Sequence, residues 1–279
     1  MSSILPILIV ICIALYLIFH VIRRNSKENF TVNENDAVFK KCYKYNDIFD
    51  DFYSLIYDDL FYDENYYTTL CKGILKYMNT VYNNHLCIGI KNGGHINELL
   101  KNNMNTISIT KSKSIADICK YNYEDNTYKY IKDFDNNSYI FDENTFTHIS
   151  LIDNELYYTP NIYDLLNNCE KWIIHKGFLF IQLYENKDCF KKGFNKWNID
   201  GTARLEYKYS QTFNDFENNT NEMYFVDSLS KNDKIRKNFH NLYFYEKEHI
   251  INTIKNMDFT LVEKRTLNNC ESLYVFQKY

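Results

Sequence analysis

The sequence predicts an α/β domain with a mostly parallel sheet and helices on both faces, preceded by one transmembrane helix. Three observations carry this reading. Short apolar runs alternate with stretches of helical apolar spacing along most of the 279 residues. A chain with only 7 Gly gathers Gly89, Gly93 and Gly94 into one turn, LCIGIKNGG, between such a run and such a stretch. Finally, Ile4 to Ile22 is apolar throughout and carries no formal charge.

The apolar segment comes first. Nineteen residues at ~1.5 Å rise reach about 28 Å, close to the ~30 Å hydrocarbon thickness of a bilayer. A cleaved signal peptide fits less well, because no basic residue precedes the run and no A-x-A-like site follows it. Arg23, Arg24 and Lys27 flank it on the C-terminal side, so the positive-inside rule puts the rest of the chain in the cytoplasm. The expected organisation is an anchor over 1–24, a polar linker over 25–43 and a folded domain over 44–279.

Within that domain, apolar spacing predicts helices between Tyr45 and Thr80, then strands at 86–90, 106–109, 147–152, 178–183, 259–262 and 273–276. Helical stretches at 95–102, 112–120, 160–172 and 246–256 lie between them. Strands separated by single helices make βαβ units and hence a parallel sheet. Lys176-Gly177 predicts a sharp turn before the strand at 178–183. Residues 204–213 and 221–228 predict an antiparallel strand pair, inserted near 204–228. The last two strands are joined too closely for a parallel crossover, so the final one is antiparallel.

Composition excludes several classes. Hydrophobic content of 45% rules out general disorder, and the net charge of −4 gives no footprint for nucleic acid. The 8 Cys are dispersed without a CxxC pair, which points to reduced thiols in a cytosolic environment and to no zinc site. The 26 Tyr and only 2 Pro suit an AT-rich genome, as in some protists and large DNA viruses; a virion membrane is then one expected location.

A strand, a glycine turn and a helix form the place where an α/β sheet binds an anionic or nucleotide ligand. The spacing here is neither GxGxxG nor a P-loop. LCIGIKNGG does resemble the LDIGCGTGH loop of class I S-adenosylmethionine-dependent methyltransferases. TISITKSKSIADICKYN is similar to that family's second strand and helix, and YIKDFD to its third strand. FTHISLIDNELYYTPNIYDLLNNCEKWIIHKGFLFIQL resembles its fourth strand through its fifth. NLYFYEKEHIINTIKNMDFTLVEKR with SLYVFQKY resembles its closing helix and hairpin.

The resemblance implies a Rossmann-like seven-stranded sheet of order 3-2-1-4-5-7-6, with S-adenosylmethionine as cofactor. It assigns Cys87, Gly89, Lys91, Gly93, Thr110 and Asp133 to the cofactor side. It assigns Asp153, Asn154, Glu155, Tyr157 and Tyr158, after the fourth strand, to the substrate side. Three departures stand out. Cys87 and Thr110 replace carboxylates, and Lys91 replaces the middle glycine of the loop. The two glycines at 89 and 93 are expected to bring backbone against any ligand.

Three functions remain open on this reading. The first is a membrane-anchored methyltransferase with an unknown protein or small-molecule acceptor. The second is a catalytically degenerate methyltransferase fold serving as a membrane-tethered binding or scaffold module. The third is another α/β enzyme with a nucleotide ligand. For the anchor, protease treatment of microsomes carrying the full chain should digest the domain while sparing a fragment near Ile4–Ile22. A protected, glycosylated domain would reverse the orientation.

Overall fold

The computed structural model describes residues 40–44, 47–78, 82–89, 91, 93–123, 127–194, 208–215, 221–232 and 234–279. The expected anchor over 1–24, with Ile4–Ile22, lies outside these residues. Among the described residues, no helix is long and apolar enough to cross a membrane.

The main sheet has seven strands: β2 (Asn84–Ile88), β3 (Asn105–Thr110), β4 (Tyr128–Tyr130), β5 (Phe146–Leu151), β6 (Ile173–Tyr184), β10 (Phe259–Thr266) and β11 (Glu271–Lys278). Their spatial order is β10-β11-β6-β5-β2-β3-β4. Numbered along the chain within this sheet, that is the expected 3-2-1-4-5-7-6. β2 pairs in parallel with β3 and β5, whereas β11 is antiparallel to both neighbours. The central strands β2 and β5 are buried at every residue, as parallel strands covered on both faces must be.

Side-chain alternation divides the core between those faces. Leu86 and Ile88 enter one cluster with Trp172, Leu151 and Ile254. Cys87, between them, enters the other with Leu70, Ile96 and Phe180. The flanking helices are α1 (Asp51–Phe61), α2 (Glu64–Leu75), α3 (Gly94–Lys101), α4 (Lys113–Tyr123), α5 (Ile162–Trp172), α6 (Lys187–Phe194) and α7 (Lys247–Lys255). Asp50 and Asp63 cap α1 and α2, each accepting from a backbone N–H three residues on.

The turn expected at Lys176-Gly177 is a bulge inside β6 rather than a break before it. Phe146 pairs with Ile173 and His148 with Phe178, so residues 174–177 loop out of register. Lys176 takes a φ of 63°, and a Cβ on Gly177 would meet the Thr147 carbonyl at 3.0 Å.

A second, four-stranded sheet was only half foreseen. The expected pair is β7 (Lys208–Asp215) with β8 (Glu222–Lys231), joined antiparallel. A third strand, β9 (Lys234–Tyr243), follows β8, and β1 (Lys40–Lys44) pairs with β9 in parallel. The end of the region expected as linker is therefore an edge strand. Its partner lies almost 200 residues away, beyond the reach of any local pattern.

β8 and β9 bury alternate residues, yet half of that face is polar: Asp227, Arg236, Asn238 and His240. Arg236 fastens this sheet to the α/β domain. It donates to both Asp50 carboxylate oxygens at 2.8 and 2.9 Å, to the Ile48 carbonyl at 2.7 Å and to Asn238 Oδ1 at 2.8 Å. Its guanidinium also covers the Tyr43 ring at 3.8 Å, tying in β1.

Arg236→Met should lower stability by about 3 kcal/mol, the lower end for breaking a buried pair because Asp50 is partly hydrated. Denaturant unfolding of wild type and variant would measure it. A difference below about 1 kcal/mol would mean that the second sheet is not held by this contact.

Candidate functional site

The carboxyl ends of β2, β3 and β5 converge on the loop before α3. Gly89 takes a φ of 95° and Gly93 a φ of 74°. A Cβ on Gly89 would lie 2.5 Å from the Ile152 carbonyl and 2.6 Å from Glu155 Cβ. A Cβ on Gly93 would meet Cys119 Sγ at 2.9 Å and the Tyr128 ring at 3.0 Å. At both positions the atoms that a Cβ would strike belong to the protein itself. The two glycines let the loop close against the loop after β5 and against α4 and β4.

A cavity of about 390 Å³ opens beside this loop, with Lys91, Thr110, Asp133, Asp135, Glu155 and Tyr158 on its walls. Lys91 is buried at 7% exposure, with its ammonium 4.3 Å from the Phe49 ring centre and 4.4 Å from that of Tyr158. Glu155 Oε2 lies 3.9 Å away. Burial pushes the Lys91 pKa down, opposed by the charges of Glu155 and Asp153. Two ring faces and nearby carboxylates replace the water that this cation has lost.

Thr110 ends β3 and is buried, its hydroxyl accepting from the Ser112 N–H at 3.2 Å. Asp133 is exposed at the rim. Asp135, deeper in, is held by Lys111 at 2.6 Å, and that ammonium also faces the Phe134 ring.

Cys87 does not reach this cavity. It is completely buried, on the face of β2 opposite Leu86 and Ile88, with its Sγ 3.7 Å from His95 Nε2. His95 Nδ1 lies 3.7 Å from Asp153 Oδ2, and the imidazole stacks on Tyr67 at 5.3 Å. Tyr67 donates its hydroxyl to Asp153 Oδ1 at 2.8 Å. The order Cys–His–Asp imitates a nucleophilic relay, but its electrostatics are those of a neutral core. Burial raises the Cys87 thiol well above its usual pKa and lowers that of His95. A thiol without thiolate or access is no nucleophile.

The residues after β5 divide their work. Asp153, Asn154 and Tyr158 border a second chamber of about 910 Å³, lying between α1, α2 and the second sheet. Glu155 turns instead toward Lys91. Tyr157 is core: it packs with Phe190 and Phe244, and its hydroxyl accepts from the Tyr184 N–H at 3.0 Å. Tyr158 borders both spaces. Its hydroxyl lies 2.9 Å from His240 Nδ1, whose other nitrogen is 3.7 Å from Asp227. Asp227 in turn accepts from Tyr53 and Tyr209.

Sequence reasoning missed Phe49, His240, Asp227, Gln182 and Glu271, since no motif surrounds any of them. His95 was within sight, directly after the glycines. Among the described residues no three His, Cys, Asp or Glu side chains gather as a metal site.

No known family profile and no curated protein matches the sequence. Solved structures do match the fold. An S-adenosylmethionine-dependent methyltransferase from Clostridium acetobutylicum is 15% identical, with a TM-score of 0.56 over 81% of this chain and 97% of its own. A Pyrococcus horikoshii protein is 13% identical, with a TM-score of 0.59 over 84% of this chain and 95% of its own. This chain has the class I methyltransferase fold. An amino pentose methyltransferase of calicheamicin biosynthesis from Micromonospora echinaspora, solved with S-adenosylmethionine bound, is 9% identical. Its TM-score is 0.53, over 76% of this chain and 90% of its own. At such identities the likeness is one of architecture, and the chemistry rests on the residues.

The sealed thiol gives a direct test. Iodoacetamide should alkylate exposed Cys42 in the native protein while leaving Cys87 unlabelled until denaturant is added. Peptide mass mapping reads both sites. Native labelling at Cys87 would mean that the loop before α3 opens readily.

Proposed function

We propose that the chain is an S-adenosylmethionine-dependent methyltransferase-like protein, tethered to a membrane by Ile4–Ile22 with its domain on the cytoplasmic side. The observation that carries the catalytic part is the meeting of two spaces at Tyr158. One is a nucleotide-sized cavity at the strand ends; the other is a larger chamber beyond it. Direct displacement at the methyl carbon requires contact, so a donor in the first space and an acceptor in the second would have to meet past the edge of that ring, where proximity and orientation accelerate transfer.

The residues present fit such a donor in part. Thr110 and Asp133 offer polar contacts where the resemblance expects a ribose and an adenine. The Phe49–Tyr158 pair with Glu155 stabilises a cation, and the cofactor's sulfonium is one. When bound, the cofactor supplies an electrophilic methyl group. The chain's own contributions are to exclude water, to hold the acceptor, and to take its proton where the acceptor must lose one. Tyr158, which borders both spaces and whose hydroxyl lies 2.9 Å from His240 Nδ1, is the group placed to pass that proton to the imidazole.

A second reading has a specific observation behind it. Lys91 already fills the cation cage, so a sulfonium must displace it or meet its charge. With Thr110 also lacking the charge-assisted bonds of a carboxylate, the fold would then act as a tethered binding or scaffold module.

Calorimetric titration with S-adenosylmethionine separates the two. A family-like micromolar affinity reduced by about 3 kcal/mol gives a Kd weaker than ~100 μM for wild type. Lys91→Met should tighten binding about tenfold or more by removing the competing cation, and Thr110→Asp should tighten it further. Cys87→Asp should not help, because it would bury a carboxylate beside Asp153 and away from the cavity. Low-micromolar binding by wild type would show that Lys91 does not compete. No binding by any variant would sink the methyltransferase reading in favour of the scaffold.

A further inference from the structure

We infer that the larger chamber is a binding site for a small organic amine in its protonated form, seated against Asp153 and Glu271 and enclosed by tyrosine rings. The charge on its walls is one-sided. Asp63, Glu64, Asp153 and Glu271 border it, and among the described residues no lysine or arginine does. Asp63 and Glu64 are exposed at the mouth, whereas Asp153 and Glu271 are 6% and 5% exposed.

Buried carboxylates ordinarily find a cation, since an uncompensated charge away from water costs several kcal/mol. Among the described residues, neither of these makes an ion pair with a lysine or arginine, although the Lys91 charge reaches Asp153. Glu271 Oε2 accepts from the Tyr66 hydroxyl and from Gln182 Nε2, both at 2.8 Å. Asp153 Oδ1 accepts from Tyr67, while its Oδ2 accepts no hydrogen bond. The basic group nearest that oxygen is His95 Nδ1 at 3.7 Å, an imidazole that burial keeps neutral. A buried carboxylate held only by neutral donors, in a wall whose charge is all of one sign, calls for a cation in the chamber.

The aromatic lining agrees. Burial, then the Asp153 charge, holds the Tyr57 and Tyr67 hydroxyls well above their usual pKa; burial and then Glu271 do the same at Tyr66 and Tyr184. Their rings stay neutral and present electron-rich faces, which attract ammonium groups. An anion would face four carboxylates, and a neutral ligand would leave the buried charge uncompensated. A volume of about 910 Å³ admits a molecule with a ring.

As an acceptor assignment this rests on the proposed function; as a binding site it does not. The test therefore omits S-adenosylmethionine. The full chain, in detergent at pH 7, is titrated calorimetrically with 2-phenylethylamine and with its neutral isostere 2-phenylethanol. The amine should bind at least about tenfold more tightly than the alcohol, and Asp153→Asn and Glu271→Gln should each remove most of that preference. Both variants should unfold at or above the wild-type temperature, since each removes a buried charge; two carboxamides guard against one failing to fold. Equal binding of amine and alcohol, no binding of either at millimolar concentration, or a preference that survives both substitutions would overturn the inference. None of these outcomes depends on whether the cofactor binds.

Discussion

A single ammonium group governs the middle of this molecule. Lys91 belongs to the loop after β2, Phe49 to the segment before α1, and Tyr158 and Glu155 to the turn after β5. Burying a lysine costs several kcal/mol, so it persists only where ring faces and carboxylates replace its water. Satisfying that charge requires the three segments to stay together. The same requirement sets the position of Tyr158, the wall between the two spaces of the site. Gly89 makes the approach possible, because any side chain there would strike Ile152 and Glu155.

The two spaces differ in electrostatics more than in size. Beside the smaller one, lysines and carboxylates alternate, and Lys111 neutralises Asp135 directly. In the larger one the buried carboxylates Asp153 and Glu271 are held by tyrosine hydroxyls, and among the described residues no lysine or arginine lines the wall. The contrast arises from which side chains supply each wall. Both spaces draw walls from the main sheet and from the elements around it, but the larger takes Asp153 and Glu271 from the main sheet and its loops, whereas the smaller takes Lys91 and Lys111.

The second sheet also follows a different logic from the first. The core strands bury His85, Cys87 and His148 among apolar neighbours, and burial favours the neutral form of each. The second sheet buries Asp227, Arg236, Asn238 and His240 on one face and answers them with tyrosines, Asp50 and backbone carbonyls. Polar burial of this kind specifies partners geometrically, since each donor must meet its acceptor.

The main sheet was legible in the sequence because its information is local. An apolar run, a turn and a helical stretch identify a βαβ unit, while the third strand and the order of the seven follow from the resemblance to the methyltransferase family. The glycine turn was equally visible, but the atoms that forbid a Cβ at 89 and 93 come from residues about 26 to 66 positions further on. Pairing of Lys40–Lys44 with β9, the cage around Lys91 and the buried carboxylates of the larger chamber were decided by tertiary structure alone. Each depends on which side chains meet across long stretches of chain. A charge reads as an ordinary surface residue in sequence until the fold removes its water.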